Sequence, residues 1–326
     1  MTRRAILSGL VRNCERHLPR SLDNLDRFAS TYDAAYFLFM VSDSDDGSRE
    51  LLERWLASGR QGEVVDHGHL AERWPRRTER LALLRNMVIE SVGGSRRRDW
   101  EHLVIADLDN VLESRMPVEP FIAAGKYLDE DPRRAAVFAN AFPLYYDVWA
   151  LRHPLWCPYD CWHRIWGRRR GQSFEAAKFR EVFARQIAIS DSMAPIPVRS
   201  AFGGLGIYRL SFALQAHYCG TSAEGLEVSE HVAFNEAIAA LGGELCIFPP
   251  LQVRAPPEHL YAPAEFKRRW RLRMSAIRVR NYFLPPVHSF LKPLGGDAHA
   301  APGRPCGSGE APASGLSKSA VDRLNE

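Results

Sequence analysis

Leu103-Val104-Ile105-Ala106-Asp107-Leu108-Asp109-Asn110-Val111 sets four apolar residues directly before two carboxylates spaced two apart. An apolar run without polar alternation reads as a strand buried on both faces, as in a parallel sheet covered by helices. Open α/β sheets hold their ligands outside the carboxyl ends of such strands. Asp107 and Asp109 therefore stand where chemistry is expected.

The upstream sequence supplies the rest of such a sheet. Ala5 to Val11 and Ala35 to Ser42 read as strands, and Glu63 to Asp66 as a shorter one. Between them, Pro19 to Ser30 and Ser48 to Ala57 read as helices, the second opening after the Asp46-Gly47 turn. Thr78 to Ser91 carries Leu81, Leu84, Met87, Val88 and Ile89 at helical spacing. This alternation predicts a Rossmann-like α/β fold, a mostly parallel sheet flanked by helices.

Downstream the pattern weakens. Residues 115 to 200 hold eight prolines among many aromatics, which predicts long connections and short helices over one end of the sheet. A helix is expected at Ser229 to Leu241 and a strand at Glu244 to Phe248. Residues 1–255 are thus expected to form one catalytic domain, with 256–293 a basic amphipathic segment and 294–326 a disordered tail rich in Gly, Ala, Pro and Ser.

Composition sets outer limits. The chain of 326 residues, 46% apolar and 25% charged, can bury a full core. A net charge of +4 argues against a dedicated nucleic-acid binder, so no nucleic-acid partner is expected. The longest apolar run, Ala34 to Val41, is too short to span a membrane, and Arg12, Asn13, Glu15 and Arg16 interrupt any export signal, so a cytoplasmic location is expected. Six scattered cysteines suit reduced thiols better than a disulfide scaffold or a metal site.

Three readings compete for the Asp107 and Asp109 pair. The first makes it a cap and a turn. The second makes Asp107 the nucleophile of a haloacid-dehalogenase-like phosphatase, although about a hundred residues precede a motif that normally sits on the first strand. The third is a divalent-cation site, since two carboxylates at a strand end can hold Mn²⁺ or Mg²⁺ and leave positions open for phosphate oxygens.

Several further segments favour the third reading. Ala5 to Asn13, Val41-Ser42-Asp43-Ser44-Asp45-Asp46-Gly47-Ser48, Arg80-Leu81-Ala82-Leu83-Leu84-Arg85-Asn86 and the Asp107 segment resemble, in order, the nucleotide-binding half of GT-A-fold glycosyltransferases. Tyr145-Tyr146-Asp147-Val148-Trp149-Ala150-Leu151-Arg152, Phe202-Gly203-Gly204-Leu205-Gly206-Ile207-Tyr208 and Ser229-Glu230-His231 are similar to elements of the capsule-associated α-1,3-mannosyltransferase family and its bacterial relatives. Ser229 stands where Cys is frequent, and residues 155 to 195 match no named element.

The resemblance implies a GT-A-like catalytic domain with a nucleotide-binding half at 1–112 and an acceptor half at 113–255. It implies a nucleotide-sugar donor, with GDP-mannose the first to try, and a glycan or lipid-linked acceptor in capsule, exopolysaccharide or lipopolysaccharide synthesis. Asp109 is expected as a direct metal ligand and Asp107 as a metal or ribose contact. Asp43, Arg80, Arg85, Asn86, Arg152, Gly203 and Gly204 are expected to face the donor. Arginines suit diphosphate because a guanidinium makes paired hydrogen bonds. Glu230 and Asp147 are the catalytic candidates, Glu230 as a metal ligand or an anchor for the acceptor hydroxyl and Asp147 as an acceptor or donor-sugar contact; His231, with His259 as its rival, is the candidate third metal ligand. Trp149, Trp156, Trp162 and Trp166 either stack on sugar rings or fill the core.

Residues 265 to 281 concentrate Lys267, Arg268, Arg269, Arg271, Arg273, Arg278 and Arg280 among apolar residues. Such a segment suits peripheral contact with an anionic membrane, and also supports a non-enzymatic reading as a basic membrane- or RNA-binding protein.

Overall fold

The computed structural model describes residues 3–261. The strands are β1 (Arg4–Val11), β2 (Ala34–Val41), β3 (Gly62–Asp66), β4 (His102–Ala106), β5 (Arg134–Phe142), β6 (Ile196–Val198), β7 (Leu205–Arg209) and β8 (Glu244–Arg254). The helices are α1 (Leu18–Ala29), α2 (Ser48–Ala57), α3 (Arg77–Gly93), α4 (Glu119–Asp129), α5 (Cys161–Trp166), α6 (Phe174–Glu181), α7 (Leu210–Ala213) and α8 (Glu230–Ala240). All eight strands join one sheet in the order β3-β2-β1-β4-β7-β5-β8-β6. Only β6 and β7 run against the rest. The expected α/β class, a mostly parallel sheet flanked by helices, is the architecture observed.

Two apolar layers sandwich the sheet, and the period-two side-chain alternation assigns residues to each. Leu7, Phe37, Phe39, Val104 and Ala106 face a layer that includes Leu22 of α1, Leu52 of α2 and Phe121 of α4. Ile6, Leu38, Met40, Leu103 and Ile105 face the opposite layer, with Leu84 and Val88 of α3 and Phe234 of α8. Central strands covered on both sides need no polar face, which is why their sequences show none.

The connections place the site. From β1 the chain passes through α1 to β2 on one side, whereas β4 enters on the other side of β1 after the α3 crossover. The strand order therefore reverses between β1 and β4, which opens a crevice at their carboxyl ends. The turn before β7 and the segments after β5 and β8 reach the same sheet edge, because β7 is antiparallel to β4 and β5 while β8 is parallel to β5.

Two expectations need correction. Residues 115 to 200 are not only connections: they include α4, β6 and β5, a central strand between β7 and β8. Its sequence Arg-Ala-Ala-Val-Phe-Ala-Asn-Ala-Phe lacks β-branched residues apart from Val137, and its alanines fit close packing on both faces. The last strand runs six residues past Phe248, because an irregularity between Ala139 and Asn140 lets Pro249-Pro250 pass without breaking the pairing. The basic segment 265–281, Cys306 and the tail 294–326 lie outside the described residues. Among the described residues, no helix is long and apolar enough to cross a membrane, and all five cysteines are free.

Candidate active site

The crevice between β1 and β4 is walled by two interlocked loops. The Asn13 amide donates to Ser44 Oγ at 2.9 Å, and Asn13 Oδ1 accepts from the Asp45 amide at 2.8 Å. The Cys14 amide donates to Ser48 Oγ, and the Glu15 carboxylate accepts from the Gly47 amide. Asn13 and Asp43 are the two non-glycine residues with positive φ among the described residues, at 50° and 53°. Asn and Asp tolerate this left-handed region best, and such backbone persists where surrounding structure enforces it. Asn13 closes the first segment likened to the nucleotide-binding half, but nothing in a lone Asn after a strand reports its φ.

Asp43 is buried. It accepts from Ser42 Oγ at 2.7 Å and from the Ala71 amide at 2.9 Å, and with Arg80 at 3.7 Å these partners outweigh its burial and hold its pKa below the usual carboxylate range. Arg80 itself donates to the carbonyls of Trp74 and Pro75.

Asp107 and Asp109 follow β4 into the crevice. The Asp107 amide donates to the Gly204 carbonyl at 2.9 Å, which fixes the start of the acidic turn, and its carboxylate keeps about a third of its surface exposed (35%). Asp109 is exposed, and its Oδ1 accepts from the Val111 amide at 3.2 Å, capping the short turn of helix at 110–112. Asn110 reaches Glu258 after β8 at 2.6 Å, a link between ends of the chain that no local pattern announces.

A second tier of charge lies behind this pair. Buried Arg85 donates through Nε to Glu230 at 3.0 Å and lies 3.4 Å from Asp107 Oδ1. Asp147, after β5, accepts from the amides of Gly203 at 3.0 Å and Ala150 at 3.3 Å. Enclosure, and then the charge of Asp109, push the Asp107 pKa up to about 7 against the opposing pull of Arg85, with Glu230 and Asp147 adding to the rise. Burial likewise raises Asp147. Among the described residues, burial and the neighbouring carboxylates together outweigh the pull of Arg85 on Asp107.

That field tests the fit of a divalent cation. Carboxylate oxygens are the donors hard cations prefer, and a bound cation would relieve the charge that raises Asp107. Among the described residues no three His, Cys, Asp or Glu side chains gather into a metal-binding group. The pair fits an open site whose remaining ligands come from a phosphorylated substrate and water. His231 packs face to face on Phe202 with ring centres 3.8 Å apart, and burial and Arg85 depress its pKa. Among the described residues neither of its nitrogens has a hydrogen-bond partner. Exposed His259 stacks on Tyr146 with centres 5.4 Å apart. The structure joins neither histidine with Asp107 and Asp109 in a metal-binding group.

Several expected donor contacts have other work. The Asn86 amide donates to the Tyr218 carbonyl and accepts from the Tyr218 amide, with His217 3.0 Å away, so it clamps α3 to the loop before α8. Buried Arg152 is held by Asp160 at 2.7 Å and donates to the carbonyls of Trp149 and Leu151. Arg85 is occupied by Glu230 and Asp107 rather than open to a ligand. Gly203 and Gly204 have φ of 68° and 87°, and the space beside them is filled by protein: a Cβ would stand 2.6 Å from the Ala139 carbonyl oxygen and 2.5 Å from Val111 Cγ1. Their close approach is to the chain itself.

No protein-family model and no curated protein matches this chain. Among solved structures it is similar to a mannosyltransferase from Pyrobaculum calidifontis in complex with GDP-Man and Mn²⁺, at 15% identity and a TM-score of 0.48, covering 87% of this chain and 64% of that one. It is also similar to residues 1–349 of S. aureus TarS in complex with UDP-GlcNAc, at 13% identity and 0.46, covering 86% and 67%. A third is M. tuberculosis glucosyl-3-phosphoglycerate synthase, at 13% and 0.40, covering 86% and 80%. The chain spans under two thirds of the mannosyltransferase's length.

Proposed function

We propose that the protein is a GT-A-like glycosyltransferase that moves a sugar from a nucleoside-diphosphate donor to a glycan or lipid-linked acceptor, with Mn²⁺ or Mg²⁺ as its cofactor. One observation carries the reading: Asp107 and Asp109 emerge together at the carboxyl end of β4, at the point where the strand order reverses. Residues 1–112 supply the nucleotide side and 113–255 the acceptor side. A capsule, exopolysaccharide or lipopolysaccharide glycan is the product class, and GDP-mannose the first donor to try.

Asp109 and Asp107 would hold the cation, which when bound supplies charge neutralisation for the leaving diphosphate. The interlocked loops of Asn13 and Asp43 form a rigid wall for the nucleoside. Arg85 fixes the Asp107 carboxylate from behind and Glu230 in turn holds Arg85. Asp147, raised by burial and anchored on Gly203, is the better candidate for contact with the acceptor hydroxyl, because Glu230 is engaged by Arg85. The phosphatase alternative loses ground, since Asp107 follows the fourth strand rather than the first.

The test is a thermal-shift panel of GDP-mannose and UDP-sugars with and without Mn²⁺, followed by transfer assays. Metal-dependent stabilisation by a nucleotide sugar, abolished in Asp109→Ala, is expected. An aspartyl-phosphate trapped on Asp107, or no nucleotide binding under any metal, would overturn the reading.

A further inference from the structure

The segment that matches no named element folds into a helical hairpin, α5 and α6, tied to the Asp147 loop. The Tyr145 amide donates to the Ile187 carbonyl, Gln186 Nε2 reaches the Tyr146 and His259 carbonyls, and Arg152 grips Asp160, the cap of α5. The hairpin encloses an open cavity of about 660 Å³, within the usual size of ligand sites. Arg164, Arg168, Arg169, Arg170 and Arg180 line it, against the single acid Glu181.

Glu181 is already spent. It is buried and lies 2.7 Å from Arg180 and 3.5 Å from Arg185. Arg169 and Arg170 are exposed and make no ion pair among the described residues. Gathering guanidinium groups around a cavity costs repulsion, which an anionic ligand would relieve.

Beside the arginines runs a series of rings. Trp149, two residues beyond Asp147, meets Trp162 edge-on at 6.3 Å, and Trp162 stacks near Trp166 at 6.1 Å. Trp166 is 65% exposed and also contacts Phe174, over which Arg168 lies. An exposed indole beside unpaired guanidinium groups suits a ligand with both apolar faces and anionic substituents. Helices of six and eight residues around a concave cavity make a poor surface for a flat membrane.

We propose that this hairpin binds an acidic saccharide, one carrying carboxylate groups on its rings, as the acceptor of the transfer. The inference rests on the glycosyltransferase reading. Sugar faces pack on Trp166 while Arg164, Arg169 and Arg170 hold the carboxylates.

The test measures binding of a galacturonic acid hexamer, neutral maltohexaose, inorganic phosphate and phosphatidylglycerol vesicles to the full chain. Tight, salt-sensitive binding of the uronic acid hexamer is expected, weakened at least about tenfold in Arg169→Ala/Arg170→Ala and in Trp166→Ala, with melting temperature unchanged. Neutral oligosaccharide and phosphate bind far more weakly. Binding by vesicles alone, by phosphate as tightly as by the hexamer, by none of the probes, or equally in the variants would overturn the proposal. Nucleotide-sugar binding is measured on the same samples: its presence without hexamer binding sinks the acceptor inference alone, and its absence sinks the transferase reading.

Discussion

Arg85 on α3 and Glu230 on α8 lie 145 positions apart and meet at 3.0 Å, each with its side chain about 5% exposed. A buried pair of this kind gives little net stability over an apolar pair of the same shape, but removal of one partner strands the other's charge. Arg85→Met is therefore expected to cost about 3–5 kcal/mol, and Arg85→Met with Glu230→Leu distinctly less. Urea unfolding of both variants measures the difference; a double variant that loses as much as Arg85→Met alone, or more, would show that the cost is not the stranded charge of Glu230.

The raised pKa of Asp107 makes a signed prediction for the metal-free protein. A carboxyl whose folded pKa stands at about 7, above its ordinary 3.8, binds more protons folded than unfolded, so its contribution to stability falls as pH rises between those values. Asp107→Asn removes that loss. The variant should match the parent near pH 4 and melt higher near pH 8, by about 2–4 °C once solvent screening of a partly exposed group is allowed for. Mn²⁺ should reverse the order at pH 8, because only the parent keeps both ligands. Melting curves across pH with and without chelator decide it, and a variant less stable at pH 8 without metal would contradict the charge assignment.

Asn86 and Arg152, expected at the donor, have intramolecular partners that make a structural role testable. Asn86→Ala leaves the buried Tyr218 amide without its acceptor, at a cost of about 1–3 kcal/mol. If the side chain serves the loop alone, KM for the nucleotide sugar should move by less than about twofold at temperatures where the variant is folded. Arg152→Met should likewise lower stability by freeing Asp160, the cap of α5, without a donor-specific effect. A tenfold rise in donor KM in either variant would instead support a direct donor contact.

These cases show which information was legible in the chain. The 3-2-1-4 half was readable because apolar runs, helical spacing and the Asp46-Gly47 turn all act within a few residues. The placement of Asp107, Asp109 and Asp43 just past strand ends was readable too, since a strand end is a local feature. Arg85 and Asn86 share a helix with the right residue types, but their partners Glu230 and Tyr218 lie more than 130 positions away. Type and spacing cannot say whether a guanidinium or an amide faces a ligand or another part of the chain. β5 was missed for a related reason: its alanines are dictated by neighbours on both faces, and alanine alone favours a helix.

Gly204 joins backbone geometry to the acidic turn. Its carbonyl accepts from the Asp107 amide, and its φ of 87° is one that an L side chain adopts only under strain. In Gly204→Ala the new Cβ meets Val111 Cγ1 at 2.5 Å, and Val111 is the residue whose amide Asp109 caps. The substitution therefore presses on both carboxylates through the main chain. A stability loss of about 1–3 kcal/mol is expected from strain. Transfer activity should fall further than the unfolded fraction explains, with Mn²⁺ affinity reduced, because the two carboxylates no longer share their geometry. Gly203→Ala would strike the Ala139 carbonyl instead and disturb the amide that holds Asp147, so it should lower stability and acceptor-dependent turnover while leaving Mn²⁺ affinity near the parent value. Isothermal titration with Mn²⁺, run beside turnover assays on the folded fraction, separates the two; identical metal affinity in both variants would show that the Gly204 carbonyl does not position the acidic pair.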